Sequence, residues 1–118
     1  MDAKLSEEIA VQIPVSEARF PLITEMILLG VDAGLDFYGK NVKDIFYAEM
    51  EADQGLKRSE IVANPEAFEK SLQLFFLSCT PIVDRSIGRA ILRQFDLPLE
   101  AGLNFRIALE IIRRHPHQ

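Results

Sequence analysis

The stretch NPEAFEKSLQLFFLSCTPIVDRSIGRAILRQF (residues 64–95) predicts two α-helices in series. Asn64-Pro65 and Thr80-Pro81 each place a capping side chain directly before a proline, which is the usual composition of a helix start. Apolar side chains then recur at helical spacing on one face of the first helix: Phe68, Leu72, Phe75, Phe76 and Cys79. A buried, inert cysteine is therefore expected at the end of this face.

Three further helices are predicted, two before this pair and one after it. The first runs from Pro21 to Tyr38 and is ended by Gly39, and the second is capped by Asn41 and ended by Gly55, since glycine is frequent just after a helix. The last runs from Leu99 to Arg114.

Two finer features of packing follow from the same pattern. Gly30 and Gly34 are four residues apart in the first of these helices, so another helix can approach its backbone closely. The loop before Asn64 contains Ile61, whose side chain is expected to enter the core.

The predicted fold is all-α, a small bundle of four main helices. Residues 1–20 form an N-terminal arm, residues 21–114 the helical domain and residues 115–118 a tail. We expect the arm to be extended, because Ile9, Val11, Ile13 and Val15 alternate with other residues, as in a strand. A short helix with Leu5, Ile9 and Ile13 on one face is the alternative.

A homodimer is expected because the last helix carries more apolar surface than one face needs. If Leu103, Ile107 and Ile111 face the bundle, then Phe105, Leu109 and Ile112 are left without cover. A twofold interface would bury both copies of such a stripe.

Composition excludes several classes of function. The chain has 118 residues, a net charge of −5 and one cysteine, which makes nucleic acid an unlikely partner and excludes an internal disulfide. A reducing cytoplasm is the natural compartment. No apolar run is long enough to span a bilayer, so no membrane association is expected.

Few residues are suited to catalysis or to metal binding. The two histidines, His115 and His117, lie in the tail, which is a poor place to hold a general base. Glu25, Asp32 and Asp36 form the best carboxylate cluster, and we expect a solvated acidic face there. We therefore predict no catalytic residue, no metal site and no cofactor.

The arginine row, Arg85, Arg89 and Arg93, is the sharpest polar feature. One-turn spacing places these side chains on one face of a helix, which suits phosphates, nucleic acid or a row of carboxylates. We expect them to pair with acidic helices of their own fold or of a dimer mate. A protein partner and a phosphate or nucleic-acid partner remain as alternatives.

Three segments carry a resemblance to a known family: GKNVKDIFY (residues 39–47), GLKRSEI (55–61) and NPEAF (64–68). The chain resembles, over residues 28–97, the Nitrososphaera-type output domain family, which is small, all-helical and archaeal, with undefined biochemical activity. Members occur alone or joined to signalling modules, so the resemblance implies a regulatory or scaffolding part. It supplies no catalytic residue.

We therefore predict a non-enzymatic interaction or signal-output module with a protein partner. The interaction candidates are Arg85, Arg89, Arg93, Phe105, Leu109 and Ile112. The alternatives are a nucleic-acid-associated regulator that uses the arginine row and a helical bundle that binds a small ligand.

Overall fold

The computed structural model describes the backbone of residues 15–115 and the side chains of residues 22–115, and the described residues form α-helices and short 3-10 turns without any strand. The α-helices are α1 (Val15–Asp36), α2 (Lys40–Gln54), α3 (Pro65–Phe76), α4 (Thr80–Gln94) and α5 (Phe105–Arg114). The 3-10 turns are Arg58–Glu60 and Leu77–Cys79. The all-α class is therefore confirmed for the described residues. Helices α1 to α4 have 12 to 22 residues each, and α5 has ten.

One apolar core joins all five helices. Its largest fully buried side chains include Leu35 from α1, Phe46 from α2, Phe68 from α3, Ile87 from α4 and Phe105 from α5. The rings of Phe68 and Phe105 meet edge to face with their centroids 4.7 Å apart, an arrangement that aromatic pairs prefer.

The two long helices α1 and α4 lie backbone to backbone. A Cβ atom added to Gly30 would lie 2.5 Å from the Cα of Ile91, and one added to Gly34 would lie 2.7 Å from the Cα of Ile87. The close approach predicted from the glycine spacing is confirmed, and it fixes α4 against the middle of α1.

Two local signals in the sequence, at Asn64 and at Gly55, are confirmed, whereas the cap predicted at Thr80 is wrong because the helix already begins there and no side chain caps it. The Asn64 side chain accepts a hydrogen bond from the Ala67 backbone N–H, and Pro65 is the first residue of α3. Gly55 ends α2 in the left-handed conformation, with φ of 63°. Ile61 is fully buried beneath the loop that precedes α3.

The beginning of α1 differs from the prediction. Residues 15–20 are helical and continuous with the rest of α1, so the helix starts before Pro21 and Val15 is not part of an extended strand. Proline is most common in the first turn of a helix, because further inside it deprives one carbonyl of its hydrogen bond. For this reason Pro21 was predicted to be the first residue of α1, six residues after its actual start. The remainder of the predicted arm, residues 1–14, lies outside the described residues, as do residues 116–118 of the predicted tail.

The predicted start of α2 is also wrong. The helix begins at Lys40, Gly39 occupies the capping position, and no side chain caps the first turn. Gly39 has φ of 114°, a backbone conformation that side chains rarely adopt. This glycine therefore serves the turn between α1 and α2, and Asn41 already lies within the helix.

The last helix begins at Phe105 and not at Leu99. Asn104 accepts a hydrogen bond from the Ile107 backbone N–H, at 2.8 Å, and caps the helix. Gly102 has a positive φ of 75° in the turn before it, a conformation that helical residues do not adopt. Leu99 and Leu103, which were predicted to lie in the helix, instead belong to the loop that joins α4 to α5.

Candidate interaction surface

The arginine row lies on the outer side of α4. Arg85 and Arg93 are exposed and Arg89 is half-buried. None of the three forms an ion pair with another residue in the described part of the chain. The predicted pairing of these arginines with acidic helices of the same fold is therefore wrong for the described side chains, residues 22–115. Pairing with a dimer mate stays a prediction.

Asp32 on α1 is bound by Arg58 and by Tyr47. Arg58 donates to both carboxylate oxygens of Asp32, at 3.0 Å through Nε to Oδ1 and at 2.7 Å through Nη2 to Oδ2. The Tyr47 hydroxyl donates to the same carboxylate at 2.5 Å. The hydrogen bonds to Asp32 raise the pKa of Arg58, and burial together with Asp32 raises the pKa of Tyr47.

Glu25 and Asp36 are paired as well. Glu25 lies 3.4 Å from Arg58, and Asp36 lies 3.0 Å from Lys43. The solvated acidic face predicted for α1 is confirmed for Glu25 and Asp36, whose side chains are exposed, and is wrong for Asp32, which is mostly buried. All three carboxylates also hold α1 to α2 or to the loop that follows it. Sequence reasoning missed Arg58 because its partner is 26 residues away along the chain.

Exposed apolar side chains occur on α4, on α1 and just after α1. Phe37, just after α1, leaves 78% of its surface in water and lines a groove with Arg89 and Arg93. Ile82, three residues before Arg85 on α4, and Leu29, one turn before the groove residue Ala33 on α1, are also exposed. Tyr38 ties these elements together, because its hydroxyl lies 2.8 Å from that of Ser86 on α4.

A shallow groove connects the aromatic and the basic parts of this region. It has a volume of about 300 Å³ and is lined by Ala33, Gly34, Phe37, Ser86, Arg89, Ala90, Arg93 and Gln94. We refer to the arginine row together with Leu29, Phe37 and Ile82 as the α1–α4 surface. It joins unpaired positive charge to uncovered apolar area.

The predicted dimer stripe on α5 is buried within the single chain. Phe105, Leu109 and Ile112 retain 0%, 7% and 3% of their surface in water. Ile111 is buried too, and Ile107 is the large apolar side chain of α5 that remains exposed, at 41%. No second subunit is needed to cover these three side chains, so the reason given for a dimer through α5 was wrong. The dimer itself stays a prediction.

Three carboxyl groups lie near the start of α5, those of Glu66, Glu69 and Asp84. Asp84 accepts a hydrogen bond from the Phe105 backbone N–H at 2.8 Å, and Glu69 pairs with Arg106 at 3.1 Å. Arg106 is thus bound within the fold. Burial raises the pKa of Asp84, and burial also raises the pKa of Glu69 against the opposing effect of Arg106.

Cys79 is exposed, contrary to the predicted burial. The helical spacing that placed it on the inner face does not continue, because α3 ends at Phe76 and Leu77 has a left-handed φ of 53°. The Thr80 hydroxyl donates to the Leu77 carbonyl at 2.6 Å and closes this break. His115 is also exposed, at the end of α5.

Among the described residues, no cluster of three or more His, Cys, Asp or Glu side chains is arranged so that it could hold a metal ion. None of the described helices combines the length and the apolar character that crossing a membrane requires.

Comparisons with known proteins return no match. No protein-family model, no curated protein and no solved structure matches this chain. The resemblance to the Nitrososphaera-type output domain therefore stays a prediction.

Proposed function

We propose that the protein is a non-enzymatic interaction module that binds an acidic, amphipathic segment of a partner protein on the α1–α4 surface. The observation that carries the proposal is the arginine row, which has no acidic partner in the described part of the chain and lies next to exposed apolar side chains. A role in signal output, which the family resemblance implies, is part of the same proposal.

The apolar part of the surface favours a protein partner. Aromatic and arginine side chains are enriched among the residues that dominate binding energy in protein interfaces. Phe37 and Arg89 line the same groove, so a single amphipathic helix could place apolar side chains against the first and a carboxylate against the second. Proteins that bind nucleic acid by its backbone need a broad basic surface, whereas this chain has a net charge of −5.

Site-specific photo-crosslinking tests the proposal. p-Benzoylphenylalanine would replace Phe37 in one protein and Ile107 in a second, because both side chains are exposed, the first just after α1 and the second on α5. We expect one protein partner to be captured from position 37 and not from position 107. Adding Arg89→Glu and Arg93→Glu should abolish the capture, because the charge reversal repels an acidic segment.

Two results would contradict the proposal. One is capture that survives the charge reversal, since the arginine row would then have no part in binding. The other is crosslinked material that nuclease digests, which would favour the nucleic-acid alternative. Circular dichroism of the double variant is the control for folding.

A further inference from the structure

A second, more apolar groove lies on another side of the molecule, between α1 and α5. It has a volume of about 590 Å³, which is within the range of about 300–1,000 Å³ typical of small-molecule sites. Its lining comes from α1, from the segment between α2 and α3, and from α5: Ile23, Thr24, Ile27, Ser59, Val62, Ala63, Leu109, Ile112 and Arg113. None of these residues belongs to the α1–α4 surface.

The floor and the walls of this groove are aliphatic. Ile27, Leu109 and Ile112 are almost fully buried and form the floor, while Ile23 and Val62 are partly buried at the sides. Among the side chains that the structure describes, no aromatic ring lines the groove. A flexible alkyl chain fits such a lining better than a flat ring does, because it can follow an irregular aliphatic surface and displace water from it.

The polar groups of the groove are few and they favour an anion. Arg113 is exposed, and no ion pair joins it to an acid in the described part of the chain. Thr24 and Ser59 add two hydroxyl groups. A guanidinium can bind a carboxylate through two parallel hydrogen bonds.

We propose that the α1–α5 groove binds a free, medium-chain carboxylate, with its alkyl chain on the aliphatic floor and its carboxylate at Arg113. This inference goes beyond the proposed partner binding and does not depend on it. The carboxylate follows from charge complementarity with Arg113, and the alkyl chain follows from the lining. The bundle would thus carry a small-ligand site in addition to its interaction surface.

A titration series with straight-chain carboxylates tests the proposal. Octanoate, nonanoate and decanoate would be added below their micelle concentrations, and binding measured by isothermal titration calorimetry. We expect one molecule per chain, with affinity rising about fourfold per added methylene while the groove still has room. Decanol should bind more weakly than decanoate, since it lacks the charge.

Two pairs of variants locate the site. Arg113→Gln should weaken decanoate binding roughly fivefold, as expected of a solvent-accessible ion pair, and leave decanol binding unchanged. Arg114→Gln is the matched control, because Arg114 is an exposed neighbour that does not line the groove. Ala63→Leu should also weaken binding, since Ala63 is an exposed wall residue and a larger side chain fills space there, whereas Ala52→Leu on the exposed side of α2 should not.

The proposal is overturned if no saturable 1:1 binding occurs, or if Arg114→Gln weakens it as much as Arg113→Gln does. It is also overturned if Ala63→Leu has no effect. Binding to anionic phospholipid vesicles without binding to free carboxylates would replace a small-molecule site with membrane attachment. Melting curves of every variant show whether folding is unchanged.

Discussion

Arg58 shows how one side chain outside the helices organises three elements. From its 3-10 turn it binds Asp32 on α1 through two nitrogen atoms, and Tyr47 on α2 shares the same carboxylate. Both sides of the ion pair are partly buried, so water screens it less than a surface pair. The network orients the loop that carries Ile61 into the core.

Replacing Arg58 with lysine tests the geometry of this network. Arg58→Lys keeps the charge but loses the two-pronged contact, and we expect a loss of about 1 kcal/mol in the free energy of unfolding. Urea denaturation monitored by circular dichroism measures it. Arg85→Lys is the control, because Arg85 is exposed and has no ion pair in the described residues. Equal stability of the two variants would contradict the structural role of Arg58.

Asp84 gives the stability a definite pH dependence. Burial raises its pKa above the ordinary value of 3.8, and the hydrogen bond from Phe105 opposes this only in part. A raised pKa means that the folded state binds the proton more tightly than the unfolded state, so this group favours folding more as the pH falls through its folded pKa. At neutral pH the buried charge therefore costs stability.

Asp84→Asn removes the charge and keeps an oxygen that can accept from the Phe105 N–H. We expect this variant to be more stable than the native protein at neutral pH, and the difference to shrink as the pH approaches 3.8. Urea denaturation at neutral pH and at about pH 4 measures both values. A variant that is less stable at neutral pH would show that the charge at the start of α5 is favourable.

At the scale of elements, α5 is a core helix. Leu109 and Ile112 lie on its inner side and line the floor of the α1–α5 groove. The sequence shows two apolar stripes on this helix, but it does not show which stripe faces the bundle. That choice depends on the connection through Gly102 and Asn104, which sets the rotation of α5 against α4.

A pair of glutamate substitutions tests the orientation of α5. Leu109→Glu would place a charge at a position that is 7% exposed, and we expect it to cost about 4 kcal/mol or more. Ile107→Glu, at 41% exposed, should change stability by no more than about 0.5 kcal/mol. Thermal melts compare them. A stably folded Leu109→Glu protein that merely dissociated from dimer to monomer would restore the predicted α5 interface.

The contact between α1 and α4 depends on the absence of a side chain at Gly30. Gly30→Ala gains up to about 1 kcal/mol of helix propensity, but its Cβ would meet the backbone of Ile91 at 2.5 Å. Backbone atoms cannot rotate away, so we expect overpacking to win and to cost about 1–3 kcal/mol net.

Ala33→Ser is the control for Gly30→Ala, since it adds one atom on the exposed side of the same helix. Urea denaturation of both proteins gives the comparison. If Gly30→Ala stabilised the fold, the close approach of α1 and α4 would be wrong.

At the scale of the whole molecule, features that depend on residues close together in the chain could be predicted from the sequence, and features that depend on distant residues could not. The Asn64 cap and the Gly55 helix end were predicted because each involves residues a few positions apart. The burial of Phe105 and the pairing of Arg58 were not, because their partners are distant in the chain. For the candidate surface, the sequence located the arginine row but not Phe37 beside it, since the exposure of Phe37 depends on how α1 ends.

The whole molecule differs from one side to the other in which charged side chains form ion pairs. The chain is acidic, with a net charge of −5. Among the described side chains, Glu25, Asp32 and Asp36 of α1 are paired, while the arginine row of α4 is not. The α1–α4 surface is therefore a local basic and apolar region on an acidic protein. Such an arrangement steers a small acidic partner to one place.

The most direct measurement of the proposed function is the dissociation constant of the captured partner segment for the native protein and for Phe37→Ala. Phe37 is 78% exposed, so its removal should leave the melting temperature unchanged. We expect binding to weaken at least about tenfold, since a central aromatic residue in an interface contributes about 2 kcal/mol or more. Ile107→Ala should bind as the native protein does. An unchanged dissociation constant for Phe37→Ala would contradict the assignment of the α1–α4 surface as the binding site.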